Sequence, residues 1–303
     1  NLVSIRLLRR MGIDQTLEGL QLFGFDTSEM PLDLSLALGS YALTPLEIAT
    51  GYAMFANDGY QVRHHVLDKI VDRDGNVIFQ ASPEVACDPC NESNNQIRPD
   101  VATSNENMMS PEIDFQLRAL FDDLEKVSAE DGDRYSWDKV KQSLATLPNA
   151  KVTPAKRGMD PQTAFLMDSM LKDVILRGTG VKAKVLNRSD IGGKTGTTNG
   201  PRDAWFSGYS PHLVSTAWVG FDDNSVIGRN EYGGSAALPI WIEFMSNALK
   251  GKADMDKRQP NGIVTVKIDP KTGKRVAPSN QGIYEFFRTE NVPAAPDEDS
   301  SST

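Results

Sequence analysis

The chain has 303 residues, a formal net charge of -9 at neutral pH and a sequence pI near 5.0. This length can bury a substantial core in one large or two ordinary domains. The acidic balance argues against nucleic acid as a partner, because a phosphate-binding surface needs the opposite charge. No apolar run approaches the roughly 18 to 20 residues of a membrane-spanning helix.

Residues 1–60 are predicted to be mainly helical. The opening residues repeat apolar side chains at helical spacing, with arginines on the other side, and Gly12 ends this helix. Further along, Thr44, Pro45 and Glu47 have the order of an N-cap, a first-turn proline and a capping-box glutamate. A helix is therefore expected to begin at Thr44 and to continue to the Asn-Asp-Gly sequence that ends it.

A β-hairpin is predicted next, because residues 66–71 and 77–79 lie on either side of an Arg-Asp-Gly-Asn turn. Residues 82–155 are interpreted as an insert, whose first part is polar and whose later part has helix-like periodicity. Two roles for the insert stay open, a surface docking element and a simple embellishment. We favour the second.

The two cysteines, Cys87 and Cys90, lie within this insert. A structural zinc site needs four ligands, and two thiols with only three histidines in the chain make a poor set. A thioredoxin-like pair needs a strand before it and a helix after it, whereas these cysteines have polar neighbours rich in Pro and Asn. Neither a metal nor a cofactor is therefore expected.

The part of the chain after the insert is predicted to contain two helices, three antiparallel strands and a hairpin. The first helix is begun by Asp160 and ended by Arg177-Gly178-Thr179-Gly180. A strand around Lys194 follows, with two partner strands over 204–209 and 213–221 and then a helix over 237–249. The chain closes with a hairpin, in which 264–268 turns at 269–273, and a disordered acidic tail from about Val292.

The strand around Lys194 carries the residues with the clearest chemical potential, in the sequence Gly-Gly-Lys-Thr-Gly-Thr-Thr. Alternation along a strand places Lys194, Gly196 and Thr198 on one face. Gly196 has no Cβ, so a ligand or another backbone can approach it closely. An Asn-Gly-Pro turn and two further strands follow, which places the cationic strand at or near a sheet edge. A solvated strand lysine is the simplest alternative.

The same residues also match the end of a phosphate-binding loop, Gly-Lys-Thr. That signature needs a glycine five residues before the final glycine, where this chain has Arg188, and it must open a helix. The run here leads into a strand pair. A nucleotide-binding protein is therefore a distant alternative.

Lys-Thr-Gly is one of three motifs shared by penicillin-binding proteins and class A β-lactamases. The longer run through Asp-Ala-Trp-Phe-Ser-Gly-Tyr-Ser-Pro and Ala-Trp-Val-Gly, together with residues 36–40 and 44–59, closely resembles the transpeptidase domain of class A (bifunctional) penicillin-binding proteins. The resemblance implies an α+β fold with an antiparallel sheet flanked by helices, as in serine β-lactamases, and incomplete here at its N-terminal side.

The resemblance also divides the chain into four parts. These are a transpeptidase helical layer and hairpin (1–81), an insert of uncertain structure (82–155), the transpeptidase core with the Lys-Thr-Gly strand and a C-terminal helix (156–250), and a C-terminal hairpin with a disordered tail (251–303).

In this family a serine of Ser-x-x-Lys attacks a D-Ala carbonyl of a peptidoglycan stem peptide, and β-lactams trap the resulting acyl-enzyme. Carried onto this sequence, the resemblance implies that Lys194 supplies positive potential and that the hydroxyls of Thr195 and Thr197 bind the substrate carboxylate by donating to it. The amide of Thr197 becomes an oxyanion-hole donor, Gly196 lets the substrate lie along the strand, and Thr198 joins the substrate-binding set. The implied partners are the stem peptide and β-lactams.

No Ser-x-x-Lys opens a helix in the expected region, because none of Ser4, Ser28, Ser35 and Ser40 has a lysine three residues on. Asn1 falls where the resemblance puts the Asn of Ser-x-Asn, and an arbitrary start is the alternative. We therefore expect the C-terminal piece of a longer enzyme, with the nucleophile, glycosyltransferase and membrane anchor upstream.

This expected upstream fragment is a further predicted partner, and the implied location is the periplasmic side of the bacterial inner membrane. In that oxidising compartment a disulfide between Cys87 and Cys90 is a plausible pairing, and loop thiols without a role are the alternative. A catalytically silent relative that only binds β-lactams or peptidoglycan remains the alternative function.

Overall fold

A computed structural model describes residues 2–86 and 153–294. The chain divides into two compact units, Asn1–Gly158 with Gly251–Met255 and Met159–Lys250 with Asp256–Thr303. Asn1, both cysteines, the central part of the predicted insert and the end of the acidic tail lie outside the described residues. The expectations for them therefore stay predictions.

In the described part of the first unit there are three helices and several short strands. Its helices are α1 (Leu2–Met11), α2 (Ile13–Leu22) and α3 (Pro45–Ala56), with a 3-10 turn over Leu34–Leu38. Its strands are β1 (Tyr60–Gln61), β2 (Lys69–Val71), β3 (Val77–Gln80), β4 (Glu84–Val85), β5 (Thr153–Pro154) and β6 (Lys156–Arg157). Strands β2 and β3 form the predicted antiparallel hairpin, and Asp72 accepts hydrogen bonds from the backbone amides of Asp74 and Asn76 in its turn.

Helix α3 begins as its sequence predicts. The backbone amide of Glu47 donates to Thr44 Oγ1 at 3.2 Å, and the amide of Thr44 donates to Glu47 Oε2 at 2.7 Å. These two bonds satisfy amides that have no partner within the helix. The helix then buries Met54 and Phe55, and Gly51 lies directly against the ring of Phe25.

We expect Thr44→Ala to lower the free energy of unfolding of the first unit by about 1 kcal/mol, because the N-cap hydroxyl is lost together with its bonds to the amide and the carboxylate of Glu47. Urea unfolding followed by circular dichroism measures this. Thr50→Ala in the same helix is the matched control. The exposed Thr50 hydroxyl donates back to the Leu46 carbonyl oxygen and lies 3.0 Å from His64 Nδ1, and it caps no helix end, so its removal should change the free energy of unfolding much less. Equal losses in both variants would contradict the capping argument.

The second unit contains the predicted sheet and its flanking helices. Helix α4 (Pro161–Leu176) precedes the strands β7 (Gly192–Thr197), β8 (Asp203–Ser210) and β9 (Leu213–Gly220), and α5 (Leu238–Ala248) follows a π-helical turn over Gly233–Ala237. The three strands are antiparallel in the order β7-β8-β9. The Lys-Thr-Gly strand therefore lies at a sheet edge, which confirms the prediction.

Packing between the sheet and α5 forms the core of this unit. The rings of Phe206 on β8 and Trp241 on α5 meet at 4.9 Å between centroids, and both side chains are fully buried. Trp241 Nε1 also donates to the carbonyl oxygen of Ser215 on β9, at 3.1 Å. This contact ties the helix to the sheet and holds the site strands in a fixed frame.

The predicted C-terminal hairpin forms only next to its turn, where Ile268 bridges Arg275, and its first strand pairs mainly with a later segment. The turn is present, since the amide of Gly273 donates to the Asp269 carbonyl oxygen at 2.8 Å, but β10 (Ile263–Ile268) pairs with the later strand β11 (Ile283–Arg288). The residues directly after the turn include Pro278, which lacks an amide donor for a ladder. Strand β11 instead packs Phe286 against Phe165 of α4, with ring centroids 4.9 Å apart.

Candidate active site

Two glycines anchor the start of β7 deep in the second unit. A Cβ at Gly193 would lie 2.7 Å from the Ser207 carbonyl oxygen, and one at Gly192 would lie 2.9 Å from Tyr209 Oη. Ile191 before them is buried, whereas Lys194 after them is exposed. The strand therefore runs from the core to the surface and presents its second half to solvent.

The register of β7 fixes which backbone groups reach the open edge. The amide of Thr198 donates to the Asp203 carbonyl oxygen, so Thr198 belongs to a hydrogen-bonded pair with β8. Because such pairs alternate along antiparallel strands, the amide and carbonyl of Thr197 point away from β8. Thr195 has the same orientation, and its carbonyl oxygen accepts a bond from Lys194 Nζ at 2.9 Å. The amide predicted as an oxyanion donor thus faces the open edge.

Lys194 lies on one face of β7 and the hydroxyls of Thr195 and Thr197 lie on the other. The strand pairs Lys194 with Ser207 and Gly196 with Trp205, so the predicted sharing of a face by Lys194 and Gly196 is confirmed. Across residues 2–86 and 153–294, no carboxylate lies within ion-pair distance of the Lys194 ammonium. Its charge is therefore directed to solvent at the edge of the strand.

Each of the two threonine hydroxyls has a partner from a neighbouring loop. Thr195 Oγ1 lies 2.7 Å from Thr179 Oγ1, and the backbone amide of Gly233 donates to Thr197 Oγ1 at 3.0 Å. Sequence reasoning missed both Thr179 and Gly233. The only sequence signal for them is a glycine-flanked threonine and a Gly-Gly pair, and neither identifies its contact.

Gly196 meets another backbone at close range. A Cβ at Gly233 would lie 2.6 Å from the Gly196 carbonyl oxygen, so only glycine fits there. A Cβ on Gly196 itself would meet the cross-strand side chain of Trp205 at 3.1 Å, so this contact does not test the open space predicted at Gly196. The approach of a substrate to Gly196 stays a prediction.

Thr198 lies beyond the end of β7, in the turn to β8. Its hydroxyl accepts hydrogen bonds from the backbone amides of Arg202 at 3.2 Å and Asp203 at 3.0 Å. The hydroxyl closes this turn, and its substrate-binding role stays a prediction. The structure thus brings four of the predicted site residues together on one strand, with Thr198 just after it and Asn1 outside the described residues.

A buried ionic network lies beneath the start of β7. Tyr209 Oη donates to Asp168 Oδ1 at 2.8 Å, and the Lys172 ammonium lies 3.2 Å from Asp168 Oδ2 and 3.1 Å from Asp256 Oδ1. Burial alone would lower the pKa of Lys172, but these two carboxylates outweigh it and raise the pKa. Lys172 is therefore a firmly protonated cation.

This network also rules out a catalytic role for a Ser-x-x-Lys match that sequence reasoning missed. Ser169-Met170-Leu171-Lys172 fits Ser-x-x-Lys, but it lies in the interior of α4 and does not open the helix. A lysine held as a cation by two carboxylates has no free electron pair with which to take a proton from serine. Ser169 is not an activated nucleophile.

No metal site accompanies these residues in the part of the chain that the structure describes, where no group of three or more His, Cys, Asp and Glu side chains could hold an ion. Over the same residues, no helix combines the length and the apolar character that crossing a bilayer requires.

Known proteins resemble this chain over nearly its whole length. A family model described as the penicillin binding protein transpeptidase domain matches residues 1–121. Penicillin-binding protein 1A of Pseudomonas aeruginosa is 42% identical over 299 residues, covering 98% of this chain and 34% of that protein. The crystal structure of penicillin-binding protein 1A from Haemophilus influenzae aligns with a TM-score of 0.72 at 33% identity, covering 97% of this chain and 39% of that one.

The chain has the fold of a penicillin-binding transpeptidase. This confirms the predicted α+β fold class. The PonA1 protein from Mycobacterium tuberculosis, solved in complex with penicillin V, shares the fold at 18% identity with a TM-score of 0.51, covering 85% of this chain and 56% of that chain. Relatives named penicillin-binding protein 1A cover from 88% to 98% of the chain. The chain spans about a third of the length of the first of them, 34% in the Pseudomonas protein.

Proposed function

We propose that this chain is the C-terminal part of a peptidoglycan D,D-transpeptidase of the class A penicillin-binding type, and that β-lactams inhibit the complete enzyme. The observation that carries the proposal is the edge strand β7. It presents a cation at Lys194, two threonine hydroxyls and the outward amide of Thr197 within one short run. Such a set suits a peptide that ends in a carboxylate and reacts at a carbonyl.

The reaction is acyl transfer through serine. The serine oxygen bonds to the carbonyl carbon of the penultimate D-Ala, the bond to the terminal D-Ala nitrogen breaks, and that nitrogen leaves with a proton. An amine of a second stem peptide then attacks the ester and releases the serine. In this scheme the amide of Thr197 stabilises the oxyanion, and one such donor typically contributes about 3 to 4 kcal/mol.

The serine nucleophile, in this proposal, is supplied by an upstream fragment of the same protein, which also carries the glycosyltransferase and the membrane anchor on the periplasmic side of the inner membrane. Asn1 is assigned to the Ser-x-Asn motif. An upstream origin of the nucleophile is supported by the lack of an activated Ser-x-x-Lys among the described residues, since the lysine of the Ser169 match is engaged by two carboxylates.

Thr197→Val tests the carboxylate role in the complete enzyme. We expect acylation by benzylpenicillin to fall about tenfold or more, and acylation by a penicillin ester to fall much less, because the hydroxyl serves the charged group. Rapid-mixing kinetics with the two compounds measures the ratio. Thr216→Val is the matched control, since its hydroxyl bonds Ser207 within the same sheet. Equal losses for both compounds would limit Thr197 to packing and count against the proposal.

A further inference from the structure

Thr179 lies on a turn whose position is fixed by α4. The amides of Gly178 and Gly180 on either side of it both donate to the carbonyl oxygen of Val174, at 3.1 Å and 2.9 Å. A Cβ at Gly178 would lie 2.9 Å from that same oxygen, so the turn is packed tightly onto the helix end. The Thr179 side chain is exposed, yet the backbone on either side of it is held by these two bonds.

A second segment, which contains Gly233 and Gly234, packs against the turn at Thr179. A Cβ at Gly234 would lie 3.1 Å from the Thr179 carbonyl oxygen and 3.9 Å from Thr195 Cγ2. The neighbouring Gly233 amide donates to Thr197 Oγ1. Two loops therefore meet behind β7, and each supplies one hydrogen-bond partner to one of its threonine hydroxyls.

The direction of these bonds decides what the hydroxyls offer to a ligand. A backbone amide can only donate, so Thr197 Oγ1 accepts from Gly233 and keeps its own proton for another acceptor. Thr179 and Thr195 form a hydroxyl pair at 2.7 Å, in which either oxygen is able to donate. If Thr179 donates to Thr195 Oγ1, the Thr195 hydroxyl is an acceptor in that bond, as the Thr197 hydroxyl is for Gly233. The hydroxyl protons of Thr195 and Thr197 are then both available to an anion at the edge of β7.

We propose that Thr179 is a positioning residue for carboxylate binding: it donates to Thr195 Oγ1 and thereby turns the Thr195 proton toward the carboxylate of the substrate or β-lactam. This inference rests on the proposed function, since the carboxylate is that of the stem peptide. Thr179 contacts no substrate in this scheme. Its effect is on binding of the anion, through Thr195.

The test uses the complete enzyme with Thr179→Val and Thr179→Ser. We expect the valine variant to weaken the binding step of acylation by benzylpenicillin about tenfold, while the rate of the chemical step changes little. Acylation by a penicillin ester should be nearly unchanged. Serine keeps the hydroxyl and should restore binding. Thr216→Val again controls for loss of a threonine hydroxyl in the same sheet.

Several outcomes would overturn the inference. These are equal losses for acid and ester, a valine variant that binds benzylpenicillin normally, or a serine variant that fails to restore binding although its melting temperature matches the wild type. If Thr179→Val prevents folding, Thr179→Ala replaces it, because alanine removes the hydroxyl without adding a branched side chain, and a purely structural hydroxyl would weaken acylation by acid and ester alike. A wild-type enzyme that no penicillin labels would instead refute the proposed function, and the inference with it.

Discussion

The 303-residue chain by itself should show no covalent labelling by a fluorescent penicillin. In a serine hydrolase the loss of the nucleophile alone costs on the order of a millionfold in rate. Among the described residues the Ser-x-x-Lys match at Ser169 is inactive, because Lys172 is held as a cation by Asp168 and Asp256. We therefore expect the Lys-Thr-Gly strand to bind an anion without completing acyl transfer.

Gel fluorescence and intact mass after exposure to the label measure this, with the complete enzyme as the positive control. Ser169→Ala is the matched variant, because a label that disappears with it would locate the nucleophile on α4. When the upstream fragment is added, we expect the two chains to coelute on a sizing column and the label to appear on the added fragment only. Labelling of the isolated chain would refute the assignment of the nucleophile to the upstream fragment.

Lys194→Ala in the complete enzyme should lower the second-order rate of acylation by at least about a hundredfold, equivalent to roughly 2.7 kcal/mol of transition-state stabilisation. The side chain is exposed, and within the described part of the chain its ammonium donates to the neighbouring carbonyl oxygen of Thr195. Its removal therefore takes a charge from the edge of β7 while little apolar burial changes. The melting temperature should stay close to that of the wild type.

The control for this change is Lys182→Ala, which alters the net charge equally at an exposed position of the second unit. Acylation by benzylpenicillin in that variant should match the wild type. If both variants lose activity alike, a general charge effect explains the loss, and if Lys194→Ala is fully active, Lys194 does not belong to the site.

Local chemistry explains why much of the fold was accessible from the sequence. The start of α3 depends on Thr44 and Glu47, three residues apart, and the start of α4 depends on Asp160, whose side chain accepts from the Thr163 amide at 2.9 Å. The edge position of β7 follows from alternation and from the turn to β8. These features are set by neighbours along the chain, so composition and spacing suffice to predict them.

The hairpin after residue 251 shows where such reasoning stops. The turn at Asp269 forms from its own residues, but the partner of β10 is chosen by packing of Phe286 against Phe165 on α4. A turn signal says where a chain can reverse. It does not say which later segment has an apolar face to bury, because that depends on the surface presented by a distant helix.

The sequence by itself determined that Lys194, Thr195 and Thr197 lie together on one strand, because their strand pattern and motif are contiguous. Only the tertiary structure decided which groups hydrogen-bond to these residues and support their strand. Thr179 and Gly233 reach β7 from 16 and 36 residues away, and Asp168 reaches Tyr209 across 41 residues. The physical reason is that a hydroxyl or a glycine amide has no partner preference that sequence reveals. Its bond is selected when helix and sheet pack and bring two loops to the same strand.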